Sequence, residues 1–299
     1  MNKLLFVIFF NLLFTQYAPY FDGEAAFEHL MKQCSFGPRF PGSQAHLEFK
    51  DFLVDFLKKN NNHVEVYEHE IDHPYDSTKV FLYNVLSQYN LEAKNRILLM
   101  AHWDTREIAD LDQDQTKRNK PIVGANDGAS GVAALMLFAE IFKKNKLQNI
   151  GVDLLFVDGE DMGRHGELEN FCLGSKLFAN NKNYIPPQLA ICLDMVADKD
   201  PQFKMEYFSY IQAKEELFDI WNLANSIGYS EFSYDLTGPI YDDHKAYYDI
   251  TKIPSIDIID FDYPYWHTLD DTPDKCSPTT LKIVGDVVLE YIYRLDFNE

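Results

Sequence analysis

The sequence predicts an α/β fold: a three-layer α/β/α sandwich around a mixed, mostly parallel central sheet. Three observations carry this. Strand-like and helix-like segments alternate along the chain, as in folds that cover a parallel sheet with helices. Ile97–Ala101 is apolar at every position, and Val152–Val157 is apolar except at Asp153, so both faces of these strands are expected to be covered. The 299 residues are 46% hydrophobic and 15% aromatic, enough for a large buried core, and show no internal repeat or low-complexity linker.

The elements follow in order. Met1 to about Tyr20 reads as a secretory signal: Lys3 supplies the positive start, and Leu4–Leu13 is apolar except at Asn11. That run is short of the roughly 20 apolar residues that span a bilayer. Cleavage after Ala18 is expected to leave residues 19–299 as a single exported domain, periplasmic or secreted, with no stable membrane association. Ala45–Lys59 carries Leu47, Phe49, Phe52, Leu53, Phe56 and Leu57 on one broad face and predicts a helix. Lys79–Leu86 and Arg96–Ala101 predict strands, and Gly131–Lys144 a helix. Strands are expected at Gly151–Val157, Leu189–Leu193 and Ser255–Ile259, with helices at Glu215–Ile227 and Ser277–Arg294.

Composition excludes some functions. With 47 acidic and 27 basic side chains the net charge is −20, which speaks for solubility and against a nucleic-acid partner. Cys34, Cys172, Cys192 and Cys276 form no CxxC pair, so neither a thiolate zinc site nor a dense disulfide scaffold is expected.

In a sheet of this kind the active site lies beyond the C-terminal strand ends. Arg96–Ala101 runs into His102-Trp103-Asp104, and Gly151–Val157 into Asp158-Gly159-Glu160-Asp161. Leu189–Leu193 runs into Asp194, and Ser255–Ile259 into Asp260, with Trp266-His267 shortly after. One strand-terminal acid is an ordinary solvated cap. Several on one edge repel one another unless a cation joins them. Carboxylates and imidazoles without a nearby cysteine suit Zn²⁺ with an open coordination position. Gly124–Gly131 is a glycine-rich turn that carries Asp127. It lacks the Walker lysine and the GxGxxG spacing of phosphate-binding loops. Of the neighbours Glu160 and Asp161, one can bind metal while the other faces substrate as general base and then acid.

These residues resemble the zinc aminopeptidase superfamily that also contains the glutaminyl cyclases. The motifs are His102-x-Asp104, Gly124-Ala-Asn-Asp127-Gly-Ala-Ser-Gly131, Glu160-Asp161, Leu173-Gly174-Ser175, Asp194 and His267-Thr268-Leu-Asp-Asp271. Gly37-Pro-Arg-Phe-Pro-Gly-Ser43 also resembles a segment found there, so the likeness runs from about residue 24 to 295. It implies one of two chemistries. A two-zinc aminopeptidase would use His102, Asp127, Asp161, Asp194 and His267 as ligands. A glutaminyl cyclase would hold one Zn²⁺ with Asp127, Asp161 and His267, and Asp194 would hydrogen-bond the catalytic Glu160.

Three details favour the cyclase. Tyr241-Asp242-Asp243-His244 is similar to the cyclase Asp-Asp-His segment, which places Asp242 in an acidic network with Glu160 and Asp194. Trp266 directly precedes His267, as in cyclases, where that indole walls the pocket. Ser255–Ile259 followed by Asp260 resembles bacterial members. The resemblance therefore implies substrates with N-terminal glutamine, peptides or proteins, converted to pyroglutamate with loss of ammonia. Glu160 would move the proton, Asp194 and Asp242 would hold it, and Trp266 would stack on the glutamine side chain. The chain departs from animal cyclases in having Glu-Asp where they have two glutamates. It also lacks a tryptophan within Met162–Glu169, so that pocket wall is expected from elsewhere. The charged stretch Glu107–Pro121 acquires no role from the sequence.

Overall fold

The computed structural model describes residues 18–298, so the predicted signal lies outside the described residues except at Ala18. A six-stranded sheet forms the middle layer. Its strands are β1 (Val64–Asp72), β2 (Lys79–Tyr89), β3 (Arg96–His102), β4 (Gly151–Val157), β5 (Leu189–Asp194) and β8 (Ser255–Ile259), in the order β1-β2-β4-β3-β5-β8. β4, β3, β5 and β8 are parallel neighbours; β2 pairs antiparallel with both β1 and β4. The sheet is mixed and mostly parallel, as expected. A parallel pair, β6 (Phe203–Met205) and β7 (Phe232–Leu236), forms a separate small sheet.

The alternation of side chains along each strand decides which helix layer it meets. Ile97, Leu99 and Ala101 of β3 join Val152, Leu154 and Phe156 of β4 on one face. They share a core with α1 (Gly23–Cys34), α2 (Gln44–Asn60), α3 (Ala129–Lys144) and α8 (Pro278–Asn298). On the other face Leu98, Met100, Leu155 and Val157 meet Phe178 of α4 (Leu173–Ala179) and Tyr247 of α7 (Asp243–Thr251). Asp153, the one polar break in the apolar run of β4, is buried on this second face. Arg96 pairs with it at 2.5 Å, the Tyr184 hydroxyl donates to it at 2.7 Å, and the Gln88 amide at 3.1 Å. Its charge is buried only because it is fully partnered.

Local chemistry explains the element boundaries. Ser43 caps α2 by accepting the His46 N–H, and His46, Phe49, Leu53 and Leu57 form its buried face. α3 is buried almost all round because it lies pressed on the sheet: a Cβ at Gly131 would sit 2.0 Å from the Leu193 carbonyl oxygen. The helix predicted at Glu215–Ile227 is α6 (Lys214–Ser226), and α5 (Tyr207–Gln212) precedes it. Seven elements lie outside the sequence-based assignment: α1, β1, α4, β6, α5, β7 and α7. The parallel strands all end on one edge, which brings His102, Asp158, Asp194 and Asp260 together there. No helix among the described residues is long and apolar enough to cross a membrane.

Candidate metal centre and active site

The strand-edge carboxylates are positioned by backbone straps. Asp127 lies in the turn before α3. Its N–H and that of Asn126 donate to the Asp271 carboxylate at 3.1 and 2.8 Å, and Tyr263 donates its hydroxyl to the same group. Gly128, at φ +94°, approaches so closely that a Cβ would lie 2.7 Å from the Asp104 carbonyl oxygen, which explains the glycine there. Asp104 in turn accepts the N–H groups of Glu160 and Asp161, each at 3.1 Å. His267 adopts left-handed backbone geometry at φ +56°.

Asp127, Asp161 and His267 converge with ligand atoms within 4.8 Å of one another, all three buried. His267 Nε2 stands 3.4 Å from Asp161 Oδ1 and 3.8 Å from Asp127 Oδ2. Asp127 Oδ2 and Asp161 Oδ2 are buried and have no hydrogen-bond partner. Two buried carboxylates, each with an orphaned oxygen, beside an imidazole suit a divalent cation of zinc type, so the residues fit the group. A second triad, His102, Asp127 and Asp194, shares Asp127: His102 Nε2 is 3.2 Å from Asp127 Oδ1 and 3.3 Å from Asp194 Oδ1. Burial, Asp161 and Asp194 push the Asp127 carboxyl up to about 6, although His102 opposes them. Burial favours neutral His267, but Asp161 and Asp110 outweigh it and lift its pKa to about 9.

Beside the triads lies an acidic cluster. Glu160, Cys172 and Asp242 approach within 4.8 Å, and Cys172 donates its thiol to Glu160 at 3.3 Å. Burial, then Asp161, Asp242 and Asp243, push the Glu160 carboxyl well above its usual range, against the pull of His102. Asp242 caps α7 and accepts the Cys192 thiol at 3.5 Å. Asp243 accepts the Ser175 hydroxyl at 2.6 Å. Beneath Asp242 is Asp257, both of whose oxygens lack a hydrogen-bond donor, and burial holds it well above the usual range. His244 sits between Asp257 and Glu206, at 3.5 and 3.1 Å.

These groups open into a cavity of about 360 Å³. Asp127, Glu160, Asp194, Asp242, Trp266 and His267 all line it. Asp161 lies just behind, held by Arg106 at 2.7 Å. The predicted site residues are thus brought together. One expected contact differs: Asp194 pairs with His102 rather than hydrogen-bonding Glu160, because the imidazole is the nearest positive partner for its carboxylate. The half-buried Trp266 ring lies 3.9 Å from the His267 ring and 4.8 Å from Phe261. Leu168 and Phe171 supply wall on the loop after Glu160, where no tryptophan occurs. The four cysteines are free thiols.

Sequence reasoning missed Arg106 and Asp110. Asp110 belongs to the charged stretch that had no assigned role. It reaches His267 Nδ1 at 3.4 Å and is gripped by Arg106 at 2.7 and 2.8 Å, so it braces one triad member while Arg106 braces another. Asp257 was legible only as part of an apolar strand. An acid inside such a run was the available signal.

This fold and this edge of carboxylates and imidazoles define a protein of the zinc-exopeptidase type. A family model described as Peptidase family M28 matches residues 84–292, and the chain belongs to that family. Within it, the chain is similar to the glutaminyl cyclase of Bacteroides thetaiotaomicron bound to N-acetylhistamine. The two are 35% identical, with TM-score 0.88, covering 92% of this chain and 99% of the other. A leucine aminopeptidase precursor from the same organism is also 35% identical, with TM-score 0.86, covering 92% and 98%. The curated glutaminyl-peptide cyclotransferase of Bos taurus is 25% identical over 247 residues, 70% of this chain and 66% of the bovine one.

Proposed function

We propose that the chain is a zinc-dependent glutaminyl-peptide cyclotransferase that converts the N-terminal glutamine of peptides or proteins to pyroglutamate and releases ammonia. The observation that carries this reading is a partly buried Glu160, its pKa raised by burial, set between a metal-type triad and the Asp242–Asp257 carboxyls inside a cavity walled by aromatic side chains. The likeness to glutaminyl cyclases over nearly the whole chain supports it.

Asp127, Asp161 and His267 would hold one Zn²⁺. When bound it supplies Lewis-acid polarisation of the γ-carbonyl oxygen. Glu160 takes a proton from the attacking α-amine and returns one to the departing amide nitrogen. Its raised pKa makes the ionised carboxylate a stronger base toward the amine than an exposed glutamate would be. Asp257 lies against Asp242, and burial together with that neighbouring carboxylate holds its carboxyl well above the usual range, so this side of the cluster adds less negative charge around Glu160. Trp266, Phe261 and Phe171 exclude water and hold the glutamine side chain folded toward its own amine. The N-terminal sequence supports export to the periplasm or beyond, with residues 19–299 as the catalytic domain.

A specific observation favours a second reading, a two-zinc aminopeptidase. His102, Asp127 and Asp194 form a second buried triad sharing Asp127, and one neighbour is described as a leucine aminopeptidase precursor. Incubation with a glutamine-terminated peptide separates the two. Loss of one ammonia with the residue retained supports cyclisation, and release of free glutamine with two bound metals refutes it.

A further inference from the structure

The cavity wall formed by Leu168 and Phe171 belongs to the loop Met162–Phe171, which has no regular structure except the single turn Leu168–Asn170. Its start is fixed by the Asp104 strap on Glu160 and Asp161. Its end is fixed by α4: Lys176 donates to the carbonyls of Leu168, Glu169 and Phe171, and the Cys172 N–H reaches the Glu160 carbonyl at 2.8 Å. Between these anchors the loop leans outward on a side chain from the β1–β2 turn. The Arg164 guanidinium lies 3.8 Å from the Tyr75 ring centroid, and Asn170 Nδ2 donates to the Tyr75 hydroxyl at 3.3 Å. Tyr75 is half-buried and does not line the main cavity.

The outer contact communicates with the wall by close packing. Gly163, next to Arg164, lies so near the Phe171 ring that a Cβ there would stand 2.0 Å from its Cδ2. Phe171 also stacks with the Arg106 guanidinium, 5.5 Å from the ring centroid. A shift at Arg164 therefore displaces Gly163 and loosens Phe171. Gly166, at φ +87° with nothing around it, offers no resistance.

We propose that Tyr75 is a positioning residue for substrate binding: by pinning Arg164 and Asn170 from outside, it holds Phe171 and Leu168 against the bound peptide. The inference rests on the cyclase reading for its kinetic consequence and on packing alone for its effect on the loop. The wall touches substrate and transition state alike, so its loss weakens binding uniformly.

The test compares the full enzyme with Tyr75→Ala and Tyr75→Phe, with a glutamine-terminated peptide as substrate. Tyr75→Ala is expected to raise KM about three- to tenfold and leave kcat within about twofold. Tyr75→Phe keeps the ring under Arg164 and loses only the Asn170 hydrogen bond, so its KM should lie close to wild type and well below that of Tyr75→Ala. Trypsin supplies a readout that needs no activity: cleavage after Arg164, followed by mass spectrometry, should quicken at least about fivefold in Tyr75→Ala, because a loosened loop opens more often. Unchanged KM and unchanged cleavage would overturn the proposal, as would a loss confined to kcat. A wild-type protein that fails to cyclise the peptide would refute the cyclase reading, and the cleavage rates would still decide whether Tyr75 pins the loop.

Discussion

Asp110 offers the sharpest quantitative test of the metal-centre geometry. Its Oδ1 lies 3.4 Å from His267 Nδ1, and Arg106 grips both carboxylate oxygens while donating to Asp161 at 2.7 Å. Burial would raise its pKa, but hydrogen bonds from His267 and Arg106 hold it well below the usual carboxylate range, so it stays ionised at any assay pH near neutrality. The carboxylate accepts the Nδ1 proton, which leaves Nε2 free as a ligand and fixes the ring orientation. Asp110→Ala removes that acceptor and releases Arg106 beside the ligand Asp161. Loss of such an outer partner weakens metal affinity by about 10- to 100-fold, or about 1.4–2.7 kcal/mol. Asp110→Asn keeps an oxygen acceptor and loses only charge, so it should fall near the lower end of that range. Competition with a chromophoric chelator, starting from stripped protein, measures the zinc Kd directly and needs no substrate. Zinc affinities within about twofold of wild type for both variants would refute the role given to Asp110.

Glu160→Gln keeps the shape and loses the proton-transfer group; turnover should fall by at least about a hundredfold with zinc still bound by elemental analysis, and an active variant would sink the assignment. Trp266→Ala removes the indole against Phe261 and His267, and KM should rise about tenfold through lost ring contact, measured on the same peptide. Asp260→Asn addresses stability. Burial pushes the Asp260 carboxyl up to about 6, so its ionisation opposes folding. The sign follows: both states are protonated below the unfolded pKa, and wild-type stability falls as pH rises from about 4 to about 6. A displacement of that size corresponds to about 3 kcal/mol at neutral pH, less about 1 kcal/mol because the amide replaces one of two oxygens that accept the Gln202 and Asp262 N–H groups. Urea unfolding should show the variant stabilised at pH 7.5 and near parity at pH 4.5; the reverse order would contradict the burial argument.

The central sheet was legible because burial on both faces leaves a continuous apolar run, and a strand so marked announces where its chain leaves the sheet. His102, Glu160, Asp161 and Asp194 could be read that way, and Asp127 from the glycine-rich turn that opens α3. β1 could not: Glu65, Glu68 and Glu70 interrupt its pattern because it is the exposed edge strand, where charge discourages pairing with other chains. α7 was hidden because its buried stripe is short and begins with the polar residues Asp243 and His244, which face the acidic cluster. Asp110 and Arg106 make their contacts across loops, and loop-to-loop geometry has no periodicity to read. Asp257 lay within a strand whose apolar flanks masked its position under Asp242.

Both chemistries of this fold need a cation at one triad, and the second triad here is intact, so ligand inventory cannot separate them. The identity of the nucleophile can. Hydrolysis must bring a water molecule to the carbonyl carbon and activate it. Cyclisation brings its own amine, and needs that amine folded onto the side-chain amide with bulk water kept out. The proposed cyclisation draws on the second demand. Trp266, Phe261, Phe171, Ile240 and Ile259 line the cavity with Glu160, while the buried Asp257, its pKa raised by burial, lies on the inner side. His102 joins the argument from the opposite side. Burial would keep it neutral, but the surrounding carboxylates of Asp104, Asp127 and Asp194 draw its pKa well above the ordinary value. His102 Nε2 stands 3.2 Å from Asp127 and 3.3 Å from Asp194, so a proton on this imidazole would offset the charge that a second metal neutralises in a two-zinc site. If the cyclase reading holds, one triad binds a cation and the other is satisfied by a proton on the imidazole, which accounts for how the same residues serve a one-metal reaction.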